Sequence, residues 1–94
     1  MPNFHFHKLE SHAHTADKIV EALAAERKRL GWSFDRLAVA ADVSNSCIRH
    51  LEHQRSTPTL VTLLKLAAAL EMNLASLLRE AQKTADERKP KPRR

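Results

Sequence analysis

The stretch LAVAADVSNSCIRHLE, residues 37–52, has helical apolar spacing at both ends and an interruption in the middle. The interruption, Asp-Val-Ser-Asn-Ser at residues 42–46, consists mostly of short polar residues that favour turns and helix caps over helix interiors. A chain that stops one helix and restarts another so soon folds into two short helices joined by a tight turn. This stretch therefore constrains the fold more than any other part of the chain.

The corner between the two helices has the side chains that a tight turn requires. Val43 is expected to point inward, and Ala38 and Ala41 are small enough to let the helices approach closely. Ser44 is expected to cap the second helix by accepting a hydrogen bond from a backbone N–H of its first turn. The second helix then protrudes with its polar N-terminal residues free. Because the major groove of B-DNA admits one helix, such an end can meet base edges.

The rest of the chain also has a helical pattern. Leu and Ala are abundant, glycine occurs once and tyrosine is absent, and this composition favours helices over sheets. Residues suited to N-caps predict five helix starts, at Thr15, Ser33, Ser44, Thr59 and Asn73. Gly31 is expected to take the left-handed conformation beyond the first helix. The sequence therefore predicts an all-α domain of five helices.

Apolar residues at helical spacing predict the core. In chain order they are Ile19, Val20, Leu23, Ala24 and Leu30, then Leu37, Ala38 and Ala41, then Ile48 and Leu51, then Leu60, Leu63, Leu64, Ala67 and Leu70, and finally Leu74, Leu77 and Leu78. Trp32 is expected to fill the space between the first two helices. These residues supply one modest core, as expected for a domain of this length.

The chain of 94 residues is predicted to divide into three parts. Residues 1–14 show alternation of Phe and His and predict an arm that is extended or partly disordered. Residues 15–82 form the helical domain, and residues 83–94 form a basic, disordered tail. The net charge is +5, but this tail holds six basic and two acidic residues, so the folded part is nearly neutral. Charge alone therefore does not predict nucleic-acid binding by the domain.

LAVAADVSNSCIRHLE followed by RSTPTLVTLLKLAAAL resembles the Cro/C1, or XRE-type, helix-turn-helix family, which includes the lambdoid phage repressors. The resemblance runs from about Ile19 to Leu78 and implies a five-helix, lambda-repressor-like domain. It implies that Asn45, Ser46, Arg49 and His50 contact base edges, that Ser33, Ser44, Gln54 and Arg55 contact phosphates, and that Arg27 and Glu52 form a structural ion pair. The chain departs from the family at Asp42, Gln54 and Glu71, where glycine is common, and at Phe34, where glutamine is common.

Other chemistry has weaker support in the sequence. His5, His7, His12 and His14 form two His-x-His pairs that could hold a metal, but they lack a complete ligand set and are interpreted as part of a polar arm. Cys47 is interpreted as a packed residue rather than a redox switch. No nucleophile–base or paired-carboxylate arrangement and no phosphate-binding glycine loop is present. The sequence predicts no catalysis, no cofactor and no metal.

Two classes of function follow from the resemblance. The first is a sequence-specific regulator of transcription that binds a palindromic DNA operator as a homodimer, through helix five near Met72 and Leu74 or through the arm. The alternative is an antitoxin of the HigA or HipB type, which binds a toxin protein and autoregulates its operon. A helix-turn-helix that no longer binds DNA ranks last. With no secretory signal, no membrane span and a single cysteine, the sequence predicts a cytoplasmic protein. The resemblance implies that it is bacterial or phage-encoded and associated with the nucleoid when bound to DNA.

Overall fold

The computed structural model describes the backbone of residues 2–88 and the side chains of residues 12–84. This part of the chain contains five helices and no strand. The helices are α1 (Pro2–Arg29), α2 (Phe34–Ala41), α3 (Asn45–Glu52), α4 (Leu60–Ala69) and α5 (Leu74–Arg88). The predicted all-α, five-helix class is therefore confirmed.

Both ends of the domain differ from the sequence prediction. Helix α1 begins at Pro2, so residues 2–14 are helical, where the sequence predicted an arm that is extended or partly disordered. No proline or glycine lies between residues 3 and 29, and proline is well tolerated in a first helical turn, so nothing interrupts the helix before Thr15. Thr15 consequently lies inside α1 instead of capping it.

At the other end, α5 continues to Arg88 and includes residues 83–88, which were predicted to be disordered. These residues contain no helix breaker, and the first proline after them is Pro90. Residues 89–94, the rest of the predicted tail, lie outside the described part of the chain.

The helix caps follow the sequence prediction. At four helix starts a side-chain oxygen accepts a hydrogen bond from the backbone N–H three residues later. The caps are Ser33 to Arg36 at 3.0 Å, Ser44 to Cys47 at 3.0 Å, Thr59 to Thr62 at 3.1 Å and Asn73 to Ser76 at 2.9 Å. These local bonds set where α2, α3, α4 and α5 begin.

Within residues 2–88, three residues that are not glycine adopt left-handed backbone conformations. Asp42, Gln54 and Glu71 have φ values of 58°, 58° and 57°, and each lies just beyond a helix C-terminus, at the positions where the family often has glycine. The predicted left-handed Gly31 is also observed, with φ 73°. For an L-residue this conformation costs about 1–2 kcal/mol, so the turns are kept at some expense in stability.

The core joins all five helices. Helix α1 packs on α5 and α3, and α2 packs on α3 and α4. The buried apolar residues are Ile19, Val20, Leu23, Leu37, Ala38, Ala41, Ile48, Leu51, Leu66, Ala67, Leu70 and Ala81. Trp32 is partly buried against this core, as predicted.

Part of the predicted core is exposed instead. Leu30 lies in the turn beyond α1 and is 38% exposed, and Leu78 is 41% exposed. On α4, Leu60 and Leu64 are exposed, whereas Leu66 is buried. Because α4 is apolar nearly all round, packing against α2 and α5 decides which side turns inward, and periodicity alone gave the wrong side for these leucines.

Within residues 2–88, no single helix is both long and apolar enough to cross a membrane. Taken together, α4 and the adjoining part of α5 have the length and composition of a membrane span, but the two helices are bent by 115° relative to each other.

Candidate nucleic-acid interface

The turn between α2 and α3 has the predicted geometry. Asp42 is left-handed, with φ 58° and ψ 50°, and the backbone N–H of Val43 donates to the Ala38 carbonyl at 3.1 Å. Val43 is half-buried against the core, and Ala38 and Ala41 are buried where the helices meet. Two short helices therefore meet at a tight corner, which is the helix-turn-helix that the sequence predicted.

Helix α3 has an apolar side and a polar side. Ile48 and Leu51 are buried, with exposures of 1% and 3%, and they fasten the helix to the core. Ser46, Arg49 and His50, three of the predicted base-contacting residues, are exposed. Their spacing of three and four residues puts these three side chains on one side of the helix.

The fourth predicted base-contacting residue, Asn45, is half-buried and lies between two side chains to which it is hydrogen-bonded. Its Nδ2 donates to Oδ1 of Asp35, on α2, at 2.5 Å. Its Oδ1 accepts from Nε of Arg49, one turn along α3, at 2.7 Å. Both polar atoms of the Asn45 amide are therefore held by neighbouring side chains, one from each helix of the motif.

Two residues at this surface were missed by the sequence analysis. Asp35 meets Asn45 across the motif, and Lys65 of α4 places its Nζ 3.2 Å from the Asp42 carbonyl oxygen and 3.8 Å from its carboxylate. A signal existed for Asp35, since an acidic residue in the first turn of α2 stands out beside a polar α3 N-terminus. The contact between Asp35 and Asn45, however, cannot be predicted without the angle between α2 and α3. For Lys65 the sequence has no comparable signal.

The predicted phosphate-contacting residues lie at helix ends. Ser33 and Ser44 are the N-caps of α2 and α3, and each hydroxyl that accepts the capping bond keeps its own proton to donate. Gln54 and Arg55 follow α3 and are exposed. The backbone N–H of Arg55 donates to the His50 carbonyl at 2.7 Å, which fixes the start of this loop against the end of α3.

Arg27 and Glu52 form a bidentate ion pair beneath the motif. Nε and Nη2 of Arg27 donate to the two carboxylate oxygens of Glu52 at 2.8 and 2.9 Å. Nη1 of Arg27 donates to the Trp32 carbonyl at 2.7 Å, and the guanidinium lies 4.4 Å from the centre of the Phe34 ring. The two side chains are only 10% and 11% exposed. One buried guanidinium thus connects α1, the loop before α2 and the end of α3.

No group of three or more His, Cys, Asp or Glu residues among the described side chains is arranged to hold a metal ion. Of the histidine pairs, His12 and His14 lie on α1, whereas the side chains of His5 and His7 are outside the described residues. Cys47 is a free thiol, partly buried against the core.

A family model described as "Helix-turn-helix" matches residues 15–77, which is more than half of the chain. The chain belongs to the helix-turn-helix family, of the XRE type. The matched range begins within α1 and reaches into α5, so it contains the motif, the Arg27–Glu52 pair and the core that supports them.

This helix-turn-helix chain is similar to the HTH-type transcriptional regulator SutR of Escherichia coli (strain K12), with 36% identity over 56 residues. The alignment covers 60% of this chain and 32% of SutR, so the chain matches about a third of that relative's length. No solved structure gives a significant match.

Proposed function

We propose that the protein is a sequence-specific DNA-binding regulator of transcription. The observation that carries the proposal is the exposed polar side of α3, with Ser46, Arg49 and His50, on the second helix of a helix-turn-helix. Membership of the helix-turn-helix family and the similarity to the transcriptional regulator SutR support the same function. In such a motif the second helix enters the major groove with its N-terminal residues against base edges.

The side chains on α3 match the chemistry of base edges. Asn45 can pair bidentately with adenine, and the terminal amino groups of Arg49 can donate to O6 and N7 of guanine. Ser46 and His50 can donate to or accept from neighbouring bases. Together these four side chains form a recognition surface long enough to contact the bases of one half-site.

The helix ends supply the phosphate contacts in this proposal. The hydroxyls of Ser33 and Ser44 lie at helix N-termini, where backbone N–H groups and the helix dipole favour anions. The exposed side chains of Gln54 and Arg55 follow the other end of α3. Contacts on both sides of the groove would fix the register of α3 without reading sequence themselves.

The first experiment is a titration of the protein against the DNA upstream of its own gene, beside scrambled DNA of equal length, at two salt concentrations. Selective binding with two chains per site is the expected result. Equal and salt-sensitive binding to both duplexes would contradict sequence-specific recognition of that DNA. No binding to either would contradict the regulator and favour the antitoxin alternative, in which the chain's main task is to bind a toxin protein.

Asn45→Ala and Arg55→Ala are expected to affect DNA binding differently. Asn45→Ala should weaken operator binding by about 1–3 kcal/mol and scarcely change binding to scrambled DNA, because it removes a base contact. Arg55→Ala should weaken binding to both duplexes and lower the salt slope by about one, because it removes a phosphate contact. Fluorescence anisotropy across a salt series measures both effects. Equal losses of Asn45→Ala on the two duplexes would contradict its base-reading role.

The proposed active form is a homodimer on a palindromic operator, with half-sites about 34 Å apart. A single α3 touches too few base pairs to select one site in a genome, and two-fold symmetry doubles the number. The surface proposed for the second copy is the outer side of α4, where Leu60, Val61 and Leu64 are 65%, 60% and 50% exposed. Met72 and Leu74 are already partly buried against the chain's own core, which leaves less of them for a partner.

Val61→Glu should convert the dimer to a monomer, because a carboxylate would be buried in an apolar contact between two copies. Sedimentation velocity at micromolar concentration measures the change. Val39→Glu is the matched control, since Val39 is 83% exposed on α2 and should leave the dimer intact. A Val61→Glu protein that sediments as the wild-type dimer would place the second copy on another surface.

A further inference from the structure

We infer that Asp35 is a specificity-determining positioning residue, which orients Asn45 and Arg49 so that the two side chains read DNA as one unit. The inference rests on the proposed function and assigns a role to a residue outside the predicted interface. Asp35 lies on α2, whereas Asn45 and Arg49 lie on α3, so the hydrogen bonds that join them cross the turn of the motif.

The chemistry of the three groups permits one orientation of the Asn45 amide. An ionised carboxylate only accepts hydrogen bonds and a guanidinium only donates them. Nδ2 of Asn45 must therefore face Asp35, and Oδ1 must face Arg49, as the 2.5 and 2.7 Å distances have them. Turning the amide over would place oxygen against carboxylate and N–H against guanidinium. Asp35 thus selects the orientation before any DNA is bound.

The chain of bonds leaves enough hydrogen-bonding capacity to read bases. An Asn amide has two N–H donors and two acceptor lone pairs, and each internal bond uses one of them. One donor and one acceptor remain, which is the pair that adenine N7 and N6 require. Arg49 uses its Nε internally and keeps both terminal amino groups for guanine or for a phosphate. The unit can therefore contact two neighbouring purines while it stays intact.

Asp35 should affect DNA binding in two ways, through its negative charge and through its orientation of Asn45. A carboxylate on the proposed DNA-facing side repels phosphates of any sequence, so Asp35 lowers non-specific binding. Orientation of Asn45 raises binding to the correct base only. Both effects raise the ratio of operator binding to non-specific binding, and they can be separated by substitution.

The test compares Asp35→Ala with Asp35→Asn on operator and scrambled duplexes. Both variants remove the charge, so both should bind scrambled DNA several-fold more tightly at low salt. Asp35→Ala also removes the acceptor, and its ratio of operator to scrambled affinity should fall about tenfold or more. In Asp35→Asn the amide oxygen still accepts from Asn45, so this variant should keep a larger ratio than Asp35→Ala. A wild-type ratio in Asp35→Ala would overturn the inference.

Two further measurements connect the effect to Asn45. In an Asn45→Ala background, adding Asp35→Ala should change the ratio of operator to scrambled affinity only by the effect of the lost charge. A fall in this ratio as large as in the wild-type background would show that Asp35 does not act through Asn45. In the DNA-free protein, the side-chain NH₂ resonance of Asn45 should shift in Asp35→Ala and much less in Asp35→Asn, and an unmoved resonance would overturn the contact itself. The resonance measurement needs no DNA, so it tests the contact between Asp35 and Asn45 independently of the proposed function. Failure of the proposed function would instead show as a wild-type protein that does not prefer the operator. Thermal unfolding of each variant checks that the fold is retained.

Discussion

Glu52→Ala should lower the free energy of unfolding by about 3–5 kcal/mol, because it leaves the charge of Arg27 buried without its partner. The wild-type pair is nine-tenths buried, and the Arg27 guanidinium is held by the two Glu52 oxygens and by the Trp32 carbonyl. The Trp32 carbonyl is neutral, so the Glu52 carboxylate is the partner that balances the charge of Arg27. Truncation of Glu52 to alanine removes that carboxylate. Urea denaturation of the variant, followed by circular dichroism, measures the loss.

The chain supplies a matched control for this prediction in a second Arg–Glu pair on α1. Arg29 donates to Glu26 at 2.9 and 2.7 Å, and this bond holds the pKa of the Glu26 carboxyl below its usual value. The Arg29 side chain is 68% exposed, so water replaces the lost partner and Glu26→Ala should leave the urea midpoint nearly unchanged. Equal shifts in the two variants would contradict the special role of burial at Glu52.

A third variant separates charge from packing at the same place. Replacing both partners, as Arg27→Met with Glu52→Leu, should recover much of the stability lost in Glu52→Ala, because no unpaired charge remains. A double variant as unstable as Glu52→Ala would show that the hydrogen bond to Trp32 and the contact with Phe34 matter more than the ion pair.

Leu37→Ala should lower the free energy of unfolding by about 2–5 kcal/mol, through lost apolar burial and the cavity left behind. Leu37 is 1% exposed and lies on the inner side of α2, in the same core as Ile48 of α3. The loss falls in the core that both helices of the motif share, so operator binding should weaken as well. Chemical denaturation and anisotropy titration measure the two consequences.

Val39→Ala is the control for Leu37→Ala. It also shortens an apolar residue of α2, but Val39 is 83% exposed, and the change should stay within about 0.5 kcal/mol. Ile48→Val removes one buried methylene from the facing helix and should cost about 0.5–1.5 kcal/mol. A Leu37→Ala protein as stable as Val39→Ala would mean that the core closes around the gap.

Features decided by neighbouring residues were predictable from the sequence. Ser33, Ser44, Thr59 and Asn73 cap helices because a short polar side chain needs only the N–H three residues on. The left-handed conformation observed at Asp42 is local as well, because a short polar side chain tolerates it. The two ends differ from the sequence prediction over residues 2–14 and 83–88, which are helical, because neither stretch contains a breaker that would stop α1 or α5.

Features decided by the angle between helices were not predictable. The sequence places Asp35 ten residues before Asn45, and only the folded corner brings the two side chains together. On α4, leucines point in every direction, and the outward position of Leu60 and Leu64 depends on how α2 and α5 cover the other side. Base and phosphate contacts remain predictions, since they depend on a DNA partner.

If Asn45 and Arg49 read neighbouring bases as proposed, the hydrogen bond between them has a consequence for how binding sites can evolve. Two bases read by linked side chains are not free to mutate one at a time, because a change that moves one side chain also releases the other. Operator sequences should then drift at this step as dinucleotides, and scoring matrices that treat positions as independent should misjudge the affinity of sites altered at both. Divergence of regulator and operator would proceed in paired steps, with the intermediates bound more weakly than either endpoint.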